Sequence, residues 1–197
     1  KLKIGAIDFD AELEVLHFIR KQFTSKDIEI RVDANGAFAP DEALEKLKRL
    51  ADFDLHSIEQ PIAVNQYEAH ARLCEETPLP IALDEELIGL QTREERTACL
   101  ETIKPQYIIL KPSLVGGLAS AKEWIDLATE RGIPSWNTSA LESNIGLNAI
   151  AQWTYSLGTT MPQGLGTGQL FTNNPASPLF IEKGYLRANP STPWEVV

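Results

Sequence analysis

Three apolar runs of this chain end in a carboxylate and a fourth ends in a lysine, at nearly constant spacing. Ile28-Glu29-Ile30-Arg31-Val32 leads into Asp33, Leu55-His56-Ser57-Ile58 into Glu59, Ile81-Ala82-Leu83 into Asp84, and Tyr107-Ile108-Ile109-Leu110 into Lys111. The steps between those ends are 26, 25 and 27 residues. Each run is β-branched or alternating and breaks into polar, Gly or Pro positions, as a strand does when it opens into a loop. A period near 27 leaves room between strands for one helix and two short turns.

The intervening segments read as those helices. Asp10 to Phe23 carries Leu13, Leu16, Phe18 and Ile19 at helical spacing, with Asp10 as its cap. Pro40 and Asp41 open a second helix through Leu50, with Leu44, Leu47 and Leu50 on one face. Further helices are expected over 65–76, 92–102, 117–131 with Gly132 at its end, and 143–157. Strands are expected at 1–6, 133–139 and, short and without a following helix, 161–166. From Phe171 the alternation gives way to turns. The opening Lys1-Leu2-Lys3-Ile4-Gly5-Ala6 is a strand with no approach to it, so the chain is expected to be cut from something longer.

Strict β–α alternation predicts a parallel sheet in an α/β fold. An open doubly wound sheet gathers its ligand at one switch point and needs a glycine-rich phosphate loop after an early strand, which Asp33-Ala34-Asn35-Gly36 is not. Polar residues end at least five strands here, the requirement of a barrel that builds its site at one mouth. The expectation is a TIM-type (β/α) barrel with one strand absent, over 1–170, followed by a tail over 171–197.

Charge narrows the partners. The 18 Lys and Arg against 28 Asp and Glu leave a net charge of -10, which repels nucleic acid and anionic membranes; small ligands are the expected partners. No apolar run approaches a membrane span. Cys74 and Cys99 have no metal spacing and read as buried, reduced thiols, in keeping with a cytoplasmic protein.

Residues two apart on a strand face the same way, so Lys1 goes with Lys3, Arg31 with Asp33 and Ser57 with Glu59. If Asp33, Glu59 and Asp84 face the mouth on consecutive strands, three carboxylates meet, and they cannot all stay ionised without a cation. With only oxygen ligands and no His or Cys at a strand end, Mg²⁺ suits the site better than Zn²⁺. Lys3 and Lys111 flank the carboxylates by one strand on either side. An amine near a divalent ion and the cations Lys1 and Arg31 is a candidate general base. His17, His56 and His70 read as packed or surface residues.

The set Lys-x-Lys, Asp-x-Asn, Glu-Gln-Pro, Asp-Glu and Lys-Pro at successive strand ends resembles the enolase superfamily over the whole chain. That resemblance implies a modified (β/α)7β barrel, here without its first strand, closed by a separate amino-terminal capping domain toward which the tail would return. Lysines on two strands place it in the muconate-lactonizing subgroup. Arg31-Val32-Asp33-Ala34-Asn35-Gly36-Ala37-Phe38, Lys111-Pro112-Ser113-Leu114-Val115-Gly116-Gly117 and Ser139-Ala140-Leu141-Glu142-Ser143-Asn144-Ile145-Gly146 further resemble the subgroup's dehydratases. These convert a succinyl-hydroxycyclohexadiene carboxylate to o-succinylbenzoate on the way to menaquinone. Dipeptide epimerases carry Asp-x-Asp where this chain has Gly164-Leu165-Gly166-Thr167-Gly168. Racemases of N-acylated amino acids, and a non-catalytic acid- or sugar-binding barrel, are the other readings.

Carried over residue by residue, the resemblance makes Lys3 the base and then the acid, with Lys111 supplying positive charge. Asp33, Glu59 and Asp84 hold Mg²⁺, with Mn²⁺ as a substitute; that superfamily's pairing of a lysine base with Mg²⁺ is a general pattern rather than a deduction from these residues. Lys1 and Arg31 add to the field around the substrate, and Asn35 supports the ligands from behind. Ser139, Ala140, Leu141 and Glu142 meet the succinyl group.

Overall fold

The computed structural model of the chain describes residues 1–166 and 171–195. Thr167 and Gly168 of the glycine-rich stretch, the boundary expected at 170 and the last two tail residues lie outside the described residues. The elements follow in the order β1 (Leu2–Lys3), α1 (Phe9–Gln22), β2 (Arg31–Asp33), α2 (Pro40–Ala51), β3 (Ser57–Glu59), α3 (Tyr67–Glu76), β4 (Ile81–Leu83), α4 (Arg93–Ile103), β5 (Tyr107–Leu110), α5 (Leu118–Glu130), β6 (Ser135–Asn137) and α6 (Asn144–Ser156). A one-turn 3₁₀ helix, Glu85–Leu87, follows β4.

The six strands make one sheet in chain order, and β1 to β5 pair in parallel. An order that never reverses has no switch point, which excludes the doubly wound alternative. The strands β3 and β4 are buried along their whole length, as strands covered on both faces must be.

Contacts divide the chain into two compact units. The first is Lys1–Ile108 with Leu127–Pro134 and the second is Ile109–Asp126 with Ser135–Val197. In the first unit Leu47, Leu50, Ile58, Ile62, Ile81 and Leu83 are fully buried. Truncating one of these to Ala would cost about 2–5 kcal/mol, because a close-packed interior relaxes only partly into the space.

Polar side chains finish the other backbone groups. Arg20 of α1 donates to the carbonyls of Phe53 (2.7 Å), Ile28 (2.9 Å) and Asp54 (3.0 Å), so one guanidinium holds the approaches to β2 and β3. Gln106 does the same ahead of β4, accepting from Ile81 N and donating to Cys74 O, each at 2.9 Å. Thr92 and Glu95 form a reciprocal capping box at the start of α4. Both cysteines are buried and free, and burial pushes each thiol up to about 12.

The structure corrects several expected details. Asp8, not Asp10, caps α1, accepting from Asp10 N and Ala11 N, and Phe18 on that helix is 66% exposed. The strand expected at 161–166 is a single parallel bridge between Thr138 and Gly164, since Pro162 lacks the N–H a ladder needs. Gly164 N donates to Asn137 O (2.8 Å) and Ser139 N to Gly164 O (3.0 Å). A side chain at Gly164 would collide with Thr138, which accounts for the glycine there. The tail holds an antiparallel hairpin, β7 (Leu179–Glu182) and β8 (Tyr185–Ala188). Its two-residue turn, Lys183-Gly184, has both residues at positive φ (51° and 80°), the conformation that matches strand twist.

Candidate active site

Register brings the first group of side chains together. Asp33 lies opposite Lys3 on one side and Glu59 on the other, so three charged residues stand at one level on β1, β2 and β3. Glu59 pairs in turn with Ala82, which puts Asp84 two residues further along, where β4 has ended and the 3₁₀ turn begins. The carboxylates are buried, with Asp33 at 0%, Asp84 at 2% and Glu59 at 3% exposure.

Three carboxylates out of water impose opposite demands on their protons. Burial, a hydrogen bond with the Asp84 carboxyl, and the charges of Asp33 and Asp84 push Glu59 up to about 8 against the pull of Lys1. Asp33 is buried too, but hydrogen bonds from Lys1 and Lys3 overcome that burial and hold it below the usual carboxylate range. Lys1 Nζ stands between the two carboxylates, 2.7 Å from Asp33 Oδ2 and 2.5 Å from Glu59 Oε2. Burial disfavours its ammonium, and the contacts with Glu59 and Asp33 outweigh that and raise its pKa.

Lys3 Nζ lies 2.5 Å from Asp33 Oδ2 and also donates to Asn35 Oδ1, while its side chain stays 61% exposed. Asn35, in the left-handed region at φ 44°, donates its backbone N–H to Asp33 Oδ1 (3.0 Å) and its Nδ2 to Glu85 Oε1 (2.7 Å). It therefore links the ends of β2 and β4. Gly36, at φ 75°, follows because the chain at Ala63 passes 3.0 Å from where a Cβ would be.

Among the described residues, no three of His, Cys, Asp and Glu close to metal-binding spacing. The donor chemistry nevertheless fits a hard cation. The carboxylates of Glu59 and Asp84 share a hydrogen bond, and an ammonium already bridges Asp33 and Glu59, so positive charge is what this cluster selects.

Arg31 is not among these groups. It sits at the level of Ser57, two residues before Asp33, and donates to Glu29 Oε1 at 2.9 Å. Beside it His56, held down by burial and then by the Arg31 charge, bonds Ser57 Oγ (2.9 Å).

The other expected residues belong to the second unit. Lys111 follows β5 and is half-buried; its carbonyl accepts from Leu114 N (2.8 Å) and Val115 N (3.2 Å). Ser139 is buried and Ala140 half-buried, Leu141 is 65% exposed, and Glu142 accepts from Ser113 Oγ at 2.6 Å. Gly146 lies against Glu142, so a Cβ there would strike its side chain at 2.9 Å.

Sequence reasoning missed the polar group behind the carboxylates: Gln60, His70 and Glu86, at 1%, 0% and 4% exposure. Glu-Gln-Pro contains Gln60 but does not show that its side chain turns inward. Nothing in the spacing of His70 marks it as buried.

The model of the family described as enolase C-terminal domain-like matches residues 1–193. The chain is 62% identical over 186 residues to the o-succinylbenzoate synthase of Desulfotalea psychrophila, covering 94% of this chain and 50% of that protein. The crystal structure of MenC from the same organism superposes with a TM-score of 0.90 at 60% identity, over 93% of this chain and 51% of the other. An N-succinylamino acid racemase of Thermus thermophilus is 34% identical over 68% of this chain and 35% of its own length. The chain thus spans about half the length of the relatives it matches.

Proposed function

The chain belongs to the enolase C-terminal domain-like family, and from that membership we propose that it is the catalytic part of a divalent-metal-dependent o-succinylbenzoate synthase. The reading rests on one observation above others, the 62% identity to such a synthase over 94% of the chain. The proposed reaction is the syn dehydration of 2-succinyl-6-hydroxy-2,4-cyclohexadiene-1-carboxylate, a step toward menaquinone. Among the described residues no helix is long and apolar enough to cross a membrane, and a cytoplasmic location is part of the proposal.

Asp33, Glu59 and Asp84 are assigned to a divalent cation, Mg²⁺ in this reading. When bound, the cation would supply charge against the negative charge developing on the substrate carboxylate. Lys3 Nζ is assigned to take the proton α to the carboxylate. It returns that proton to the leaving hydroxyl on the same face, so water departs and the ring becomes aromatic. Asn35 keeps the Lys3 amine in place through its side-chain oxygen. Lys1 carries a second ammonium beside the carboxylates, and Lys111 is assigned a charge-stabilising role. Arg31, paired with Glu29, is left the weaker role of adding to the local field. Ser139, Ala140, Leu141 and Glu142 are assigned to the succinyl group, with Ser113 fixing Glu142.

The test is an assay of the full-length protein with the cyclohexadiene acid, with and without Mg²⁺. Aromatic product appearing only with the metal supports the reading, and no product under either condition ends it. A second reading, racemisation of N-succinylamino acids, draws on the racemase relative and on the presence of two candidate lysines. It is distinguished by exchange of the substrate α-proton for deuterium from both enantiomers.

A further inference from the structure

The buried group of Gln60, His70 and Glu86 lies directly behind two of the candidate metal ligands. Gln60 follows Glu59 in the chain with φ at 39°, an unusual conformation for a non-glycine residue, and its side chain turns inward to the turn after β4. There its Oε1 accepts from Asp84 N (3.3 Å) and Glu86 N (3.2 Å). One amide oxygen thus ties the residue beside Glu59 to the backbone of Asp84.

Those two backbone donors settle which way the Gln60 amide faces, because its NH₂ group could not be placed against two N–H groups. The Nε2 end must point the other way, toward Ile62 O (3.1 Å), His70 Nε2 (3.2 Å) and Glu86 Oε2 (3.4 Å). Facing an NH₂ donor, His70 Nε2 has to be the bare, accepting nitrogen. The ring proton is then on Nδ1, which lies 3.5 Å from Glu86 Oε2 without a hydrogen bond between them. Glu86 Oε1 accepts from Asn65 N (2.8 Å), which anchors the carboxylate to the loop before α3.

We propose that His70, acting through Gln60, is a positioning residue that sets the placement of the Glu59 and Asp84 carboxylates for a divalent cation. The proposal rests on the cation reading given above. The chemistry of the group supports a positional role. Three polar side chains buried in a core contribute little stability over well-packed apolar ones of the same size, whereas their directional bonds fix geometry. The two bonds to Gln60 Oε1 join the end of β3 to the turn after β4. Groups that orient metal ligands from behind typically change metal affinity 10–100-fold when removed.

The test uses the full-length protein with Mg²⁺ alone as the probe, measured by titration calorimetry, with a thermal melt as control. His70→Leu should fold and bind Mg²⁺ about 10–100-fold more weakly. His70→Gln can present an acceptor to Gln60, as neutral histidine does, and should bind within a few-fold of the parent. Wild-type affinity in His70→Leu would overturn the proposal, as would an equal loss in His70→Gln. If His70→Leu does not fold, Gln60→Met is judged by the same affinities, and failure of both to fold assigns the group a structural role only. A parent protein that binds no Mg²⁺ would instead remove the cation reading itself.

Discussion

The two ends of strands β2, β3 and β4 are built on opposite principles. At the amino ends, long polar side chains satisfy backbone groups: Arg20 covers four carbonyls ahead of β2 and β3, and Gln106 covers one N–H and one C=O around β4. At the carboxyl ends, Asp33, Glu59 and Asp84 are buried, and burial, then a hydrogen bond with the Asp84 carboxyl, pushes Glu59 up to about 8. The first arrangement stabilises the fold. The second costs stability and leaves a place for positive charge, the division of labour found between the two faces of β/α barrels.

The largest predicted effect breaks the carboxyl end. Lys3→Ala in the full-length protein should lower dehydration by several powers of ten, since general acid–base catalysis contributes about 10²–10⁴ per role and the proposed mechanism gives Lys3 two. Lys111→Arg should reduce it less, because the charge remains, while abolishing any racemase activity. Steady-state rates on both substrates check this pair, and near-wild-type dehydration by Lys3→Ala would remove it as the base.

The amino end should respond in stability and not in catalysis. Arg20→Met removes a charged donor from four carbonyls and should destabilise by on the order of 3 kcal/mol, and Gln106→Met by about 1–3 kcal/mol. Denaturant midpoints read the loss, and rates per folded molecule and Mg²⁺ affinity should stay at wild-type values. A fall in Mg²⁺ affinity in either variant would blur the contrast between the ends.

The contrast was only half legible in the sequence. A strand ending in a carboxylate every 25 to 27 residues is visible because side chains two apart share a face, so Asp33, Glu59 and Asp84 could be placed before any fold was known. Arg31 shares that parity with Asp33 but lies two residues lower, beside Glu29, and parity alone does not give height. Arg20, Gln106 and His70 were invisible as supports, because what they bond is backbone or side chain far along the chain. The hairpin at Leu179–Glu182 and Tyr185–Ala188 lies where the loss of alternation points to turns, though Lys183-Gly184 between apolar residues is a hairpin signal.

The supports of the two ends also differ in how they titrate. Burial holds His70 down to about 4, so between that value and its ordinary 6.5 the unfolded chain binds a proton the folded chain does not. Stability from this residue is complete above about pH 6.5 and is lost as pH falls toward 4, by up to about 3 kcal/mol. His70→Gln, which cannot titrate, should lose less stability than the parent between pH 7 and pH 4 in urea melts. Parallel curves for the two proteins would show that His70 titrates normally.

The central claim is that the carboxyl ends of β2, β3 and β4 together hold one divalent cation. Titration calorimetry of the full-length protein with Mg²⁺, set beside Asp33→Asn, Glu59→Gln and Asp84→Asn, tests it most directly, since each change removes an ionic oxygen while keeping the side chain's shape. The account predicts one Mg²⁺ per chain in the parent and a large loss of affinity in all three folded variants. Unchanged affinity in the three would contradict it.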